Sequence, residues 1–162
     1  MKKTILKLTS ILLIVVGSFS SCKEKELLEV QLLVNTKWKL VGIVDVQTGI
    51  LTELEPQDCN ECYTIEFDPD NRFFPECVNT FSGRMVDNGM WGCYEIDYKT
   101  GVLHLTNIFF NQMGSIWGGY ETLYHQILKK IQSFTVKNTY PRILHLYYND
   151  GKNYLKYKET VL

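Results

Sequence analysis

The sequence predicts an all-β fold, an antiparallel barrel or half-barrel with one amphipathic α-helix. Several short segments alternate apolar and polar residues, which is the period of a strand with one buried face. Residues that favour tight turns separate many of these segments, as they do in antiparallel hairpins. One further segment has the period of an amphipathic helix.

The strands follow from this alternation. The first covers residues 36–45, with Trp38, Leu40 and Val44 on one face. The Asp150-Gly151 pair between two strand-like segments is a strong hairpin signal. The same pattern predicts further strands at residues 63–67, 72–74, 80–86, 92–97, 102–107, 143–148 and 153–158.

The predicted helix runs from Glu121 to Ile131. Leu123, Ile127 and Ile131 recur at intervals of four residues, which predicts a buried apolar stripe. The Gly-rich segment 107–119 before the helix is predicted to be irregular.

The first 21 residues have the three parts of a secretory signal. A basic start is followed by an apolar region centred on Ile11 to Val16 and by the small residues Ser20 and Ser21. Cys22 follows at once, so the junction is typical of a lipobox, in which a lipid is attached to the cysteine and the signal is removed. In a plain secreted protein Cys22 would pair in a disulfide, which is less favoured because the other four cysteines already form an even set.

This junction divides the chain into a signal peptide (1–21), a lipidated tether (22–34) and a β domain (35–162). The charged tether residues 23–26 resemble the signal by which Bacteroidetes export lipoproteins to the cell surface, but they also suit a solvated spacer. Lys23 stands where an Asp would retain an enterobacterial lipoprotein in the inner membrane. We therefore expect an outer-membrane lipoprotein, with exposure at the cell surface left open.

The charge of the mature chain argues against nucleic acid as a partner. Three of the 17 basic residues lie in the signal peptide, so 14 remain against 18 acidic residues, a net charge of −4. No basic cluster is present in the mature sequence, and nucleic-acid binding requires one.

The order of the predicted elements resembles that of the META-domain family, a group of bacterial envelope domains with a lipocalin-like β topology. The resemblance spans roughly residues 35–158 and rests on Thr36–Gly42, Thr64–Phe67, Phe81–Gly83, Gly92–Tyr94, Leu103–Thr106, Met113, Val136, Leu144–Tyr147, Gly151 and Tyr154–Leu155. It implies a lipocalin-like barrel. It implies no catalytic residue, because the family has none that is agreed.

The four remaining cysteines predict structural disulfides, as is usual in an exported chain. We expect Cys59–Cys62 and Cys77–Cys93, and the alternative is Cys62–Cys77 with Cys59–Cys93. A redox pair at Cys59 and Cys62 is less favoured, because such a motif normally opens a helix and here precedes a strand. A zinc site would need a second close cysteine pair.

Two histidines, His104 and His145, lie between leucines on predicted strands, so both imidazoles should face solvent. They could share a metal only if their strands were neighbours, and we predict no metal site and no cofactor.

The aromatic residues near the predicted helix are the best candidates for contact with a ligand or partner, because they offer much apolar area for little entropy loss. They could instead fill one end of the barrel. These residues are Phe109, Phe110, Trp117 and Tyr120.

We therefore expect a non-enzymatic envelope lipoprotein that is attached to the membrane through Cys22. Its domain should act as a binding or interaction module, for an envelope protein or an apolar ligand, or support the integrity of the envelope, and the sequence does not specify which. One alternative is a lipocalin-like carrier of a small apolar ligand, which would need an internal void of order 300 Å3 or more. The other is a thiol-active enzyme, which would need Cys59 or Cys62 to be free and exposed.

Overall fold

The computed structural model describes residues 31–34, 36–69, 76–97, 100–111, 114 and 116–160. The predicted signal peptide, Cys22 and the predicted strand 72–74 lie outside the described residues. Within them the all-β prediction is confirmed, because nine antiparallel strands form one sheet with few helical residues. No helix in the described residues is long and apolar enough to cross a membrane.

Nine strands and an 11-residue helix are found among the described residues of the domain. The strands are β1 (Lys37–Asp45), β2 (Leu51–Thr52), β3 (Thr64–Asp68), β4 (Asn79–Arg84), β5 (Gly89–Asp97), β6 (Val102–Phe110), β7 (Ser133–Lys137), β8 (Ile143–Tyr148) and β9 (Asn153–Glu159). The helix is α1 (Gly118–Leu128), and residues 31–33 form a helical turn before β1.

The sheet closes on itself through β1. One edge of β1 pairs with β9 along most of its length, and the other edge pairs with β3 near its start and with the short β2 near its end. The remaining strands pair in chain order, but β6 and β7 meet only at Val102 and Ser133. The result is a half-barrel that is weakly closed between β6 and β7.

Hydrogen bonds at the start of β1 define one end of the barrel. The backbone N–H of Thr160 donates to the carbonyl of Lys37 (2.9 Å), and that of Glu159 donates to Arg142 (2.9 Å). The chain enters here, since the Trp38 indole donates to the carbonyl of Leu33 (3.0 Å). We call this the tether end. The opposite end carries α1 and the β4–β5 turn, and we call it the helix end.

The predicted buried stripe of the helix is wrong at Leu123, which is 42% exposed. Ile127 and Ile131 are buried as predicted. Glu121, Tyr124 and Leu128 complete the buried face in place of Leu123. The helix also begins at Gly118, three residues earlier than predicted. Apolar residues occur on two faces of this segment, so its periodicity alone did not determine which face packs inward.

Two further predictions for the middle of the chain were incomplete. Strand β6 continues to Phe110, so residues 107–110 are not irregular. Strand β7 was not predicted, although Phe134 and Val136 alternate inward within it. The segment is only five residues long and begins soon after the helix, so its alternation was too short to distinguish a separate strand.

Candidate functional site

A buried carboxylate fixes α1 to the barrel. Glu121 Oε1 accepts hydrogen bonds from the backbone N–H groups of Val86 (2.9 Å), Asp87 (2.9 Å) and Asn88 (3.4 Å). The other oxygen, Oε2, accepts from the side-chain amide of Asn88 (2.6 Å). The carboxylate therefore satisfies the donors of the β4–β5 turn and holds the first turn of the helix against it. Glu121 was not predicted to have this role, because its partners are groups more than 30 residues away in the chain.

The next turn of the helix fills the barrel. Tyr124 is fully buried, and its hydroxyl lies 2.9 Å from that of Tyr157 on β9. Burial raises the pKa of both phenols. Trp38 and Tyr94 occupy more of the interior, and both are also fully buried. Large side chains thus occupy the space where a lipocalin-like carrier would hold its ligand.

The four predicted contact residues fall into two groups. Phe110 and Trp117 are partly buried and pack against the core, and Phe110 makes an edge contact with His125 (ring centroids 4.6 Å apart). Phe109 and Tyr120 are exposed. The segment therefore helps to close the barrel and also presents aromatic surface to solvent.

The exposed side of α1 carries two large apolar residues, and a third lies just before it. Ile116 in the turn before the helix is 91% exposed, and Tyr120 and Leu123 are 40% and 42% exposed. We call these three residues the helix stripe. Tyr120 and Leu123 are three positions apart on the helix, so their side chains are neighbours, and Ile116 lies four positions before Tyr120. Ile116 and Leu123 were not among the predicted contact residues, although their spacing relative to Tyr120 was visible in the sequence.

A cleft lies outside the barrel, between β1 and the segment that joins β2 to β3. The Lys39 ammonium donates to the carbonyls of Cys59 (2.6 Å) and Cys62, and Lys37 pairs with Glu61 (2.8 Å). Burial lowers the pKa of Lys39 and nearby Lys158 lowers it further, whereas Glu61 raises it. The cleft has a volume of about 480 Å3, and its lining includes Lys39, Glu53, Pro56, Glu61, Tyr63 and Lys158.

The cysteines pair as Cys59–Cys62 and Cys77–Cys93, with Cα atoms 5.4 Å apart in each pair. This is the favoured pattern of the sequence analysis rather than the alternative. Cys62 is buried, and the first pair fastens the segment that overhangs the cleft. Neither of these two cysteines has the free, exposed thiol that a thiol-active enzyme would need.

The histidines lie apart. His104 is exposed on β6, and His145 lies on β8, so β7 stands between them. The prediction that His145 faces solvent was wrong, because it is only 6% exposed and Tyr154 stacks on its ring (centroids 4.2 Å apart). Burial lowers the pKa of His145 to about 4, and Lys137 and Lys156 contribute. The described residues contain no group of three or more potential metal ligands.

Comparison with known proteins finds a relative of nearly equal length. A Tannerella forsythia protein named "Putative lipoprotein" is 28% identical over 162 residues, which cover 97% of this chain and 96% of the relative. This similarity supports the interpretation of the chain as a lipoprotein of the bacterial envelope, associated with the membrane through a lipid anchor.

Solved structures support the fold. A protein from Burkholderia xenovorans has a TM-score of 0.65 at 20% identity, over 82% of this chain and 86% of that one. A DUF4847 family protein from Bacteroides vulgatus has a TM-score of 0.56 at 14% identity, over 79% and 94%. No family model matches the chain, so the META-domain resemblance stays a prediction.

Proposed function

We propose that the chain is a non-enzymatic, META-like lipoprotein of the outer membrane that is lipidated on Cys22 and binds an envelope protein through the helix stripe. The β domain, residues 35–162, is the binding module, and residues 22–34 are the tether. Exposed Phe109 at the end of β6 is a further candidate contact.

The observation that carries this proposal is the exposure of the helix stripe at the end of the barrel opposite the tether. Tyr120 and Leu123 lie on a helix that Glu121 and Tyr124 hold firmly in place, and Ile116 lies in the turn before it. Burying such a side chain against a partner is worth about 1.5–3 kcal/mol. A rigid, apolar face that includes a tyrosine is typical of the centre of a protein interface.

The alternatives fit the geometry less well. A carrier of an apolar ligand needs an internal void. In the part of the chain that the structure describes, Tyr124, Tyr157 and Trp38 fill the inside of the barrel. The external cleft is large enough for a small molecule but is lined by Lys39, Glu53 and other charged groups, which do not suit an apolar ligand. The disulfide between Cys59 and Cys62 leaves no nucleophile for a thiol-active enzyme.

Crosslinking in intact cells tests the stripe. A photoreactive amino acid at position 116 should give a discrete adduct with an envelope protein. Combined Tyr120→Ser and Leu123→Ser changes should abolish that adduct, because they remove the apolar contact area. Gln126→Ser, an exposed polar position on the same helix, should leave it intact. An adduct that survives the double change, or no adduct at all, would contradict the proposed interface.

The anchor has its own test. Wild-type protein should incorporate labelled palmitate and fractionate with membranes, and Cys22→Ala should lose both properties. Continued labelling of the Cys22→Ala protein would show that the lipid is not on this residue.

A further inference from the structure

The outer face of β7, β8 and β9 carries lysines that the strand register places side by side. Lys137 on β7 lies opposite Ile143 on β8, and Ile143 lies opposite Lys158 on β9. Lys156 follows one row further from the tether end, opposite His145. We call Lys137, Lys156 and Lys158 the lysine face.

The lysine face makes no ion pairs in the part of the domain that the structure describes, although Lys158 also borders the cleft that Glu53 and Glu61 line. Within the part of the chain that the structure describes, no carboxylate lies within ion-pair distance of these three lysines. Nearby basic groups differ in this respect, since Lys37 pairs with Glu61 and Arg142 pairs with Glu159.

Acidic residues are concentrated on the other side of the barrel. Glu66 on β3 and Glu95 and Asp97 on β5 are exposed. The mature chain is acidic overall, yet one side of its barrel is basic, so the domain presents two electrostatically different sides.

An exposed aromatic residue lies at the tip next to the lysine face. Tyr140, in the connection between β7 and β8, is 90% exposed. Tyrosine has an apolar ring and a polar hydroxyl, and it is enriched where proteins meet the headgroup region of a bilayer.

The position of the chain entry brings this surface close to the membrane. The Arg142 guanidinium donates to the carbonyl of Leu32 (3.4 Å), so the chain enters beside the β7–β8 connection. Only eight residues separate Cys22 from Gln31. Eight residues span at most about 29 Å when fully extended. A lipid on Cys22 would therefore hold the tether end near the headgroups.

We propose that the lysine face and Tyr140 form a second, non-covalent membrane contact that docks the domain on an anionic phospholipid surface. This inference rests on the proposed lipidation of Cys22, which supplies the proximity. Basic surfaces are a common non-covalent attachment to anionic lipids. The helix stripe, at the opposite end of the barrel from the chain entry, is not part of this contact.

Vesicle binding by the unlipidated mature chain tests the contact. The mature chain with Cys22→Ala should sediment with vesicles of one-third phosphatidylglycerol and two-thirds phosphatidylcholine, and should not sediment with phosphatidylcholine alone. Each lysine near the surface contributes about fivefold to binding, so Lys137→Gln with Lys158→Gln should weaken it about 25-fold. High salt should have a similar effect, because it screens the attraction. Tyr140→Ser should also weaken binding.

The matched control removes two lysines from the helix end. Lys129 and Lys130 are exposed there, so Lys129→Gln with Lys130→Gln changes the net charge equally and should leave vesicle binding unchanged. Circular dichroism should confirm that both double variants are folded. An equal loss in the control, or equal binding to both kinds of vesicle, would overturn the proposal.

The outcomes also separate this contact from the anchor. Palmitate labelling of Cys22 without vesicle binding by the Cys22→Ala protein would overturn the lysine-face contact and leave the anchor intact. Vesicle binding that depends on Lys137 and Lys158, in a protein whose Cys22 is not labelled, would keep the contact and overturn the anchor.

Discussion

Glu121 is the residue whose replacement should most clearly reveal how the helix is held. Its carboxylate accepts three backbone hydrogen bonds from residues 86–88 and one from the Asn88 amide, and both Glu121 and Asn88 are buried. In Glu121→Ala these donors lose their acceptor. Each buried unsatisfied donor costs about 1–3 kcal/mol, and water can reach the partly buried N–H of Asp87, so we expect a total loss of about 3–5 kcal/mol.

The isosteric change should cost less. Glu121→Gln keeps one oxygen that can accept from the backbone N–H groups, but it places an NH2 group beside the Asn88 amide nitrogen. Rotation of the Asn88 amide would present its oxygen instead, so the expected loss is about 1–2 kcal/mol. The acceptor oxygen that Gln keeps would then account for the difference between the two variants, and the loss of the carboxylate charge would account for the remaining cost of Glu121→Gln.

Urea unfolding followed by circular dichroism measures these losses. The free energy of unfolding should fall with urea concentration at the same slope in every variant, which shows that the same transition is being compared. Gln126→Ala on the exposed face of α1 is the control and should change the free energy of unfolding by less than about 0.5 kcal/mol. A Glu121→Ala variant as stable as Gln126→Ala, or less affected than Glu121→Gln, would refute the assignment of Glu121 as the fixing residue.

Two further predictions concern stability. The pKa of His145 is lowered to about 4 in the folded chain. The contribution of the neutral imidazole to the free energy of unfolding is therefore fully present above the pKa of about 6.5 in the unfolded chain, and it is lost as the pH falls towards 4. Between pH 7 and pH 4, the wild-type protein should therefore lose up to roughly 3 kcal/mol more of its free energy of unfolding than His145→Gln does, as measured by urea unfolding at each pH. The same pH profile in both proteins would contradict this. Ile127→Ala should cost about 2–5 kcal/mol in the same assay, whereas Leu123→Ala should cost less than about 0.5 kcal/mol, and equal losses would show that the helix packs through the predicted stripe after all.

The sequence by itself determined the strands whose signals are local. The alternation of Trp38, Leu40 and Val44 predicted β1, because neighbouring side chains of a strand point to opposite faces whatever the strand packs against. The Asp150-Gly151 turn predicted the β8–β9 hairpin, and both residues adopt the positive φ angles that such a turn requires. These features depend on residues adjacent in the chain.

The tertiary structure alone decided which face of α1 is buried. The sequence offered Leu123 as readily as Tyr124, and the choice depended on Tyr157, more than 30 residues further along the chain, and on the β4–β5 turn that binds Glu121. A helix periodicity identifies candidate faces, but the surface that a helix meets selects among them.

The candidate sites were decided in the same way. Phe109 and Tyr120 were identified from composition, but Phe110 and Trp117 have the same chemistry and turn towards the core. Lys137 and Lys158 lie 21 positions apart, and only the register of β7, β8 and β9 brings them to one row. Such a surface is fixed by hydrogen bonds between distant segments, and a single sequence carries no local signal for those pairings.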